Sequence, residues 1–350
     1  MLSNYNYNKI SDKHTFVLND VDLGIINSIR RIILSEIPVV GFYGEDEPTI
    51  KIFNNTGPLH NEFMIHRIGL IPLNISEEIT EDYEDGDYEF YLNVENKSNK
   101  TINITTANFT GTYKEKELTK EELNKIFPPN NITKSHILIT RLRPSEHLNL
   151  KATAIKRTGK LNASFSPVSL SNFYFIEDTT EIKEGVLERE RNYVKNKYGD
   201  PIKIEFQIES VNGLSYKYLF RKSLDIIIDK LETLIEKLVN KEIPIEPVQS
   251  CKNSFNFQID NEDDTLGNLI QSLLHNKYIR ENNKFKNFDC SYVGYICPHP
   301  LISQLIIRFS LSTDDISIYE KFFIENCKEI IKKIEELKTE WNNFTKQYVA

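Results

Sequence analysis

Cysteine is scarce: the 350 residues hold four, Cys251, Cys290, Cys297 and Cys327, all in the last third and none in a CxxC pair. Without such a pair the short zinc and redox motifs drop out, and in a reducing compartment the four read as ordinary buried thiols. Long apolar runs are missing too, and none approaches the ~20 residues that a membrane-crossing helix needs. The opening stretch MLSNYNYNKISDK lacks the apolar segment of a secretory signal. Asn-X-Ser/Thr triplets such as Asn103-Ile104-Thr105 are therefore read as products of an Asn-rich composition, not as glycosylation sites. A Gly-rich phosphate loop, a GxSxG elbow and an HExxH pair are all absent, so nothing marks a catalytic site. Positive charge is in deficit, with 43 Lys and Arg against 51 Asp and Glu and a net charge of −8. Broad, non-specific nucleic-acid binding needs clustered cations; the expected partners are proteins.

What is present is a globular composition, 39% hydrophobic and 27% charged, in a chain long enough for two or three domains of roughly 100–200 residues. One construction occurs twice. Strand-like HTFVLN (His14 to Asn19) runs into an amphipathic helix over Val21 to Pro38, and SFNFQI (Ser254 to Ile259) runs into a second over Glu262 to Leu274. Each half closes with a strand and a long helix: Ile202 to Ser210 then Tyr216 to Asn240, and Leu305 to Leu311 then Asp315 to Phe344. Such duplication predicts a pseudo-symmetric pair folding as an internal dimer. Between the opening and the closing elements of the first half lies an irregular stretch, with strand-like patterns at Thr49–Phe53, Tyr88–Phe109, His136–Leu142 and Leu148–Lys156, a helical one at Thr119–Ile126, and a charged stretch at Glu181–Lys197. It reads as an inserted β-rich domain. KEIPIEPVQS (Lys241 to Ser250), with two prolines and no periodicity, reads as a linker.

At ~100° per residue, Leu23, Ile25, Ile26, Ile29, Ile32, Ile33 and Leu34 sweep an arc of about 200°, so the first helix packs on more than one surface. Arg30 lies inside that arc, while Arg31 points to the polar side. Two readings of Arg30 stand open: a buried guanidinium with a carboxylate or carbonyl partner, or a side chain that snorkels to solvent. In the long helices, Phe220, Leu224, Ile227, Leu231, Leu234 and Leu238, and Phe323, Cys327, Ile330, Ile334, Leu337, Trp341 and Phe344, step by fours and threes. That seam fits helix pairing and fits equally well two helices that each cover their own sheet. Asp263, Asp264 and Thr265 are capping candidates. His60, Glu62 and His66 fit no standard metal spacing, and Cys290, Cys297 and His299 lack a fourth ligand.

VDLGIINSIRRIILSEIPVVGF (Val21 to Phe42) and HRIGLIPL (His66 to Leu73) resemble the third-largest subunit of eukaryotic RNA polymerase II, whose relatives are the archaeal D and bacterial alpha subunits. DDTLGNLIQSLL (Asp263 to Leu274), GYICPHPLISQLIIRFS (Gly294 to Ser310) and EELKTEW (Glu335 to Trp341) resemble its smaller partner, the eleventh subunit or archaeal L. In that family the two are separate chains; here they would be one, as in fusions encoded by large nucleocytoplasmic DNA viruses.

The resemblance implies an α+β fold with two alpha-subunit-type dimerisation units pairing within one chain. The first would comprise residues 1–43 and 201–240, with the β-rich insert at 44–200, a linker at 241–252 and the second unit at 253–350. It implies a non-catalytic assembly platform of a DNA-directed RNA polymerase, docking two large catalytic subunits beside small ones. DNA and RNA would be met only through the complex, no membrane would be involved, and the setting would be host cytoplasm, nucleus or virion. Leu23, Ile26, Ile29 and Ile33 would pack against Leu266, Leu269, Ile270 and Leu273. Arg30, Arg31, Glu36 and Pro38, with His66, Arg67 and Gly69, would touch a large subunit, where an arginine fork suits a desolvated contact. Many family members hold zinc or an iron–sulfur cluster on cysteines of the insert. This chain has no cysteine before Cys251, so no cofactor is expected. The alternative is a nucleic-acid-binding transcription factor that uses the same fold alone.

Overall fold

The computed structural model describes residues 2–180, 185 and 192–347. Of the charged stretch Glu181–Lys197, all but Gly185 and 192–197 lies outside the described residues. Among the described residues the α-helices are α1 (Leu23–Ser35), α2 (Asn61–Gly69), α3 (Glu77–Glu81), α4 (Lys120–Ile126), α5 (Tyr216–Val239), α6 (Asp264–Leu274) and α7 (Ile316–Gln347). None of them is long and apolar enough to cross a membrane.

The first unit is built on an antiparallel sheet whose strands lie in the order Leu2–Asn8, Lys13–Asn19, Lys203–Ser210, Val168–Phe175. Phe16 stands opposite Phe206 in the central pair, and both are buried. α1 leaves this sheet because the Asp22 carboxylate accepts from the Gly24 amide at 2.7 Å, capping the helix start. It ends at Glu36, two residues before Pro38, which cannot continue the ladder. The second unit repeats the plan on strands ordered Ile245–Pro247, Ser254–Asp260, Gln304–Leu311, Phe288–Ile296 and Lys284–Phe285. In each sheet the strand entering the short helix pairs with the strand entering the long one. The buried positions of α1 (Gly24, Ile25, Ile26, Ser28, Ile29, Ile32, Ile33) and of α6 (Thr265, Leu266, Gly267, Leu269, Ile270, Leu273, Leu274) recur at the same intervals. The two halves are therefore two alpha-type units, and one hydrophobic core runs through both.

α5 and α7 pack together, and the seam serves both purposes expected of it. Early in α7, Phe322 and Phe323 meet Phe309 of their own sheet edge-on. At its far end Trp341 reaches Phe16 and Phe220 of the first unit.

Three expectations about extent change. Ile245–Pro247, inside the expected linker, pairs with Ser254–Asp260 as an edge strand; three residues are too few to show a period. Proline is tolerated at that strand's end because an edge needs no N–H there. Val168–Phe175, inside the range expected for the insert, is hydrogen-bonded into the first sheet. Asn61–Gly69, within the range expected for the β-rich insert, forms the helix α2. The insert itself centres on a sheet containing Ile50–Asn55, His147–Thr153 and Tyr88–Glu95. Its core, around Phe42, Phe90, Leu92, Leu148 and Leu150, is separate from that of the two units.

Candidate assembly interface

Ile26, Ile29 and Ile33 of α1 and Leu266, Leu269, Ile270 and Leu273 of α6 are buried in the shared core, with Leu23 half-buried at its margin. Polar contacts also cross between the two helices. Ser28 Oγ donates to the Thr265 carbonyl at 3.2 Å, and Arg31 Nε donates to Thr265 Oγ1 at 2.8 Å. At the opposite end Asp22 accepts from Ser272 Oγ at 3.1 Å and Asn276 Nδ2 at 2.8 Å. Gly24 makes this crossing close: a Cβ there would stand 2.9 Å from the Ser272 Cβ. Gly24, Ser28 and Arg31 step by four and three, one face of a helix. That spacing was present in the sequence but was hidden under the stronger isoleucine signal.

Arg31 thus belongs to the internal interface, where the sequence placed it on an outward polar face. Gly24, Ser28 and Arg31 of α1 all meet α6 or its first turn. Arg30 takes a course between its two readings. It is half-buried, and its Nε donates to Asn27 Oδ1 at 3.0 Å, one turn back.

Glu36 is likewise turned inward. It bridges Lys230 of α5 at 3.0 Å and Lys160 at 3.1 Å. Lys230 continues to Glu262 at 2.9 Å, and Lys160 continues to Asp263 at 3.2 Å. Two cations and three carboxylates from the first unit and the head of α6 so form one alternating cluster. Burial pushes the Glu262 carboxyl up. Burial pushes the Lys230 ammonium down, but Glu262 and Glu36 outweigh that and raise it on balance. Asp263 is pushed up by burial as well; the Thr265 hydroxyl and amide and Lys160 more than reverse it, to about 2. Its carboxylate accepts from the Thr265 amide at 2.8 Å, so the α6 cap is also a member of the cluster.

The remaining expected contact residues lie outward or in the insert. Pro38 is half-buried, and His66 is exposed. Arg67, also exposed, donates to the carbonyls of Ile139 at 3.0 Å and Leu138 at 2.9 Å and thereby ties α2 to a neighbouring strand. Gly69 is buried where two backbones touch, since a Cβ would lie 3.0 Å from the Gly44 nitrogen. Phe63 and His66 of α2 and its C-cap Leu70 share one face, with Phe63 67% and Leu70 58% exposed, and α2 packs on the edge strand Ile50–Asn55 that carries the exposed Phe53. Neither aromatic at this face was singled out from the sequence.

Among the described residues no three His, Cys, Asp or Glu side chains are grouped to hold a metal ion. Cys290 donates to the Tyr292 carbonyl and Cys297 to Asp264, while His299 Nδ1 accepts from the Leu301 amide.

A family model described as the RNA polymerase Rpb3/Rpb11 dimerisation domain matches residues 15–231, and a second of the same description matches residues 254–340. Subunit RPAC1 of DNA-directed RNA polymerases I and III from Homo sapiens is 28% identical over 183 residues, covering 47% of this chain and 51% of the relative. Subunit rpb3 of DNA-directed RNA polymerase II from Dictyostelium discoideum is 27% identical over 180 residues, covering 47% and 55%. Subunit RPB3 of RNA polymerase II from Schizosaccharomyces pombe is 26% identical over 278 residues, covering 69% and 88%. The chain spans about half the length of the first two relatives.

Proposed function

We propose a function from one premise: this chain belongs to the RNA polymerase Rpb3/Rpb11 dimerisation-domain family. It carries two such domains in one polypeptide and is homologous to Rpb3- and RPAC1-type polymerase subunits. It acts as a polymerase assembly subunit, and its two domains form a pseudo-heterodimer in cis. The observation that carries this reading is the single core shared by both units, sealed at one end by the Glu36–Lys230–Glu262 cluster.

The finer reading is that the paired units form a non-catalytic platform for two large catalytic subunits. One large subunit docks on the exposed α2 face of Phe63, His66 and Leu70, with Arg30 and Pro38 contributing from the first unit. Small polymerase subunits complete the assembly, and nucleic acid is met only through it. The chain needs no metal or cluster, since no cysteine stands in the insert. Fusion of the two units, together with an Asn-, Ile- and Lys-heavy composition, supports a setting in the infected-cell cytoplasm, nucleus or virion of a large DNA virus.

The test is affinity purification of the tagged chain from its native source, followed by mass spectrometry and a transcription assay. Two very large subunits and template-dependent RNA synthesis are expected in the eluate. Phe63→Asp should lower recovery of one large subunit without changing the melting temperature. Recovery of the chain alone from cells that make the polymerase would reject the platform.

A further inference from the structure

α1 and α6 cross antiparallel: the head of α1 meets the tail of α6 at Asp22 and Asn276, and the reverse holds at Arg31 and Thr265. The pair therefore has two ends of matching build. Asp22 and Asp263 are the N-caps, each accepting from the amide two residues on, at 2.7 and 2.8 Å. Lys230 of α5, next to buried Ile227 and Leu231, matches Lys333 of α7, next to buried Ile330 and Ile334. At one end the turn at 158–161 lies against the tail of α1, and the Lys160 amide donates to the Ser35 carbonyl at 2.8 Å. The Lys160 ammonium reaches Asp263 at 3.2 Å and Glu36 at 3.1 Å. A Cβ on Gly159 would stand 2.8 Å from the Leu34 oxygen, so this turn is closely seated. At the other end, around Asp22 and Lys333, the same position is an open cleft of about 1000 Å³.

We propose that this cleft receives a loop of another polypeptide that presents a lysine or arginine to Asp22, as the turn at 158–161 presents Lys160 to Asp263. Charge favours a basic visitor. With the ion pairs Arg280–Asp200 and Lys277–Glu329 formed, the lining keeps the carboxylates of Asp20, Asp22, Glu281 and Glu336 against the ammonium of Lys333. Among the described residues Asp22 accepts only from neutral donors, the Gly24 amide, Ser272 Oγ and Asn276 Nδ2, whereas Asp263 has Lys160. No three of these carboxylates are grouped to hold a metal ion among the described residues. Carboxylates spread singly along a cleft suit side-chain cations on a chain, and partly buried pairs are screened less than exposed ones. One wall is special in its backbone. α1 stops at Ser35, but α6 runs on into a π-helical turn, His275–Arg280, closed by the Glu281 and Asn283 amides. Such turns occur frequently at functional sites. Here the Asn276 carbonyl, already taken by Glu281, leaves recognition to the side chains.

The visitor is sought in the full chain expressed in its native source, with a photoreactive benzoylphenylalanine replacing Asn283, exposed at the cleft. After irradiation, the adduct is expected on one short segment of one other protein, containing a lysine or arginine. A synthetic peptide of that segment should bind the purified full chain, more weakly as salt rises. Binding should fall about tenfold in Asp22→Asn, which can still cap α1. Replacing the basic residue of the peptide by methionine should lower binding by a similar factor, with the fold of this chain untouched. No protein adduct, or an adduct to nucleic acid, to a second copy of this chain or to its own residues 181–191, would overturn the assignment. So would a segment without lysine or arginine, or binding indifferent to either substitution. Large polymerase subunits in the eluate without an adduct at 283 reject the cleft and leave the platform standing; an adduct without those subunits does the opposite.

Discussion

Trp341, at the far end of α7, lies stacked on Phe220 of α5, ring centroids 4.1 Å apart and planes at 30°. Its indole N–H donates to the Lys217 carbonyl at 3.0 Å, so an aromatic from the second unit closes the core of the first. Trp341→Ala should cost about 3–5 kcal/mol, read as a fall in the urea midpoint at unchanged slope. As the sole tryptophan, it also reports on the wild-type contact. Its fluorescence change should coincide with the loss of helical circular dichroism. An earlier fluorescence change would mean that the halves part before either unfolds.

Thr265 Oγ1 accepts from Arg31 Nε at the α1–α6 crossing. Thr265→Val keeps the shape and removes the acceptor, for an expected loss of about 1–3 kcal/mol. In a double-mutant cycle with Arg31→Ala the two losses should fall short of additivity by about 0.5–3 kcal/mol. Strict additivity would show that the bond contributes nothing in solution.

Lys230 is flanked by two carboxylates, Glu36 and Glu262. Lys230→Met leaves both without it and should destabilise by about 3–5 kcal/mol. Adding Glu36→Gln and Glu262→Gln to the same chain should restore most of the loss, because the charges needing compensation are then gone. A thermal midpoint unmoved by Lys230→Met would place the cluster in free solvent.

Acid should act through Asp263. Its carboxyl is held near 2 against an ordinary 3.8, so its stabilisation is complete above the ordinary value and is lost as pH falls from about 4 toward 2. Glu262, raised by burial, has the opposite sign: its protonation favours the folded state as pH drops from neutrality. Stability should therefore hold or rise slightly on mild acidification before it falls. Asp263→Asn, which can still cap α6, should flatten the fall below pH 4. A wild-type curve with the same slope as Asp263→Asn would refute this assignment.

The duplicated strand-and-helix plan was legible because α1 and α6 carry long runs of branched aliphatics at helical spacing, and burial follows that spacing closely. The roles of Arg31 and Glu36 were not, because a charged side chain is given its partner by a segment more than a hundred residues away. α2 escaped notice for a local reason: His60 at its N-cap makes no side-chain hydrogen bond, and Phe63 and Leu70 are apolar on an exposed face.

The first sheet joins Lys13–Asn19 to Lys203–Ser210, and that join sets an order of events on the ribosome. The early strand can pair with Leu2–Asn8 at once, but its other edge has no partner until nearly two hundred further residues have been made. The insert, with a core of its own, is complete in between and can close while the flanking halves wait. The second unit arrives last, already attached at Val239 through a short stretch that is itself partly strand. Its local concentration is then set by tether length rather than by the supply of a separate subunit. A cell making this chain has no stoichiometry to balance between the two halves.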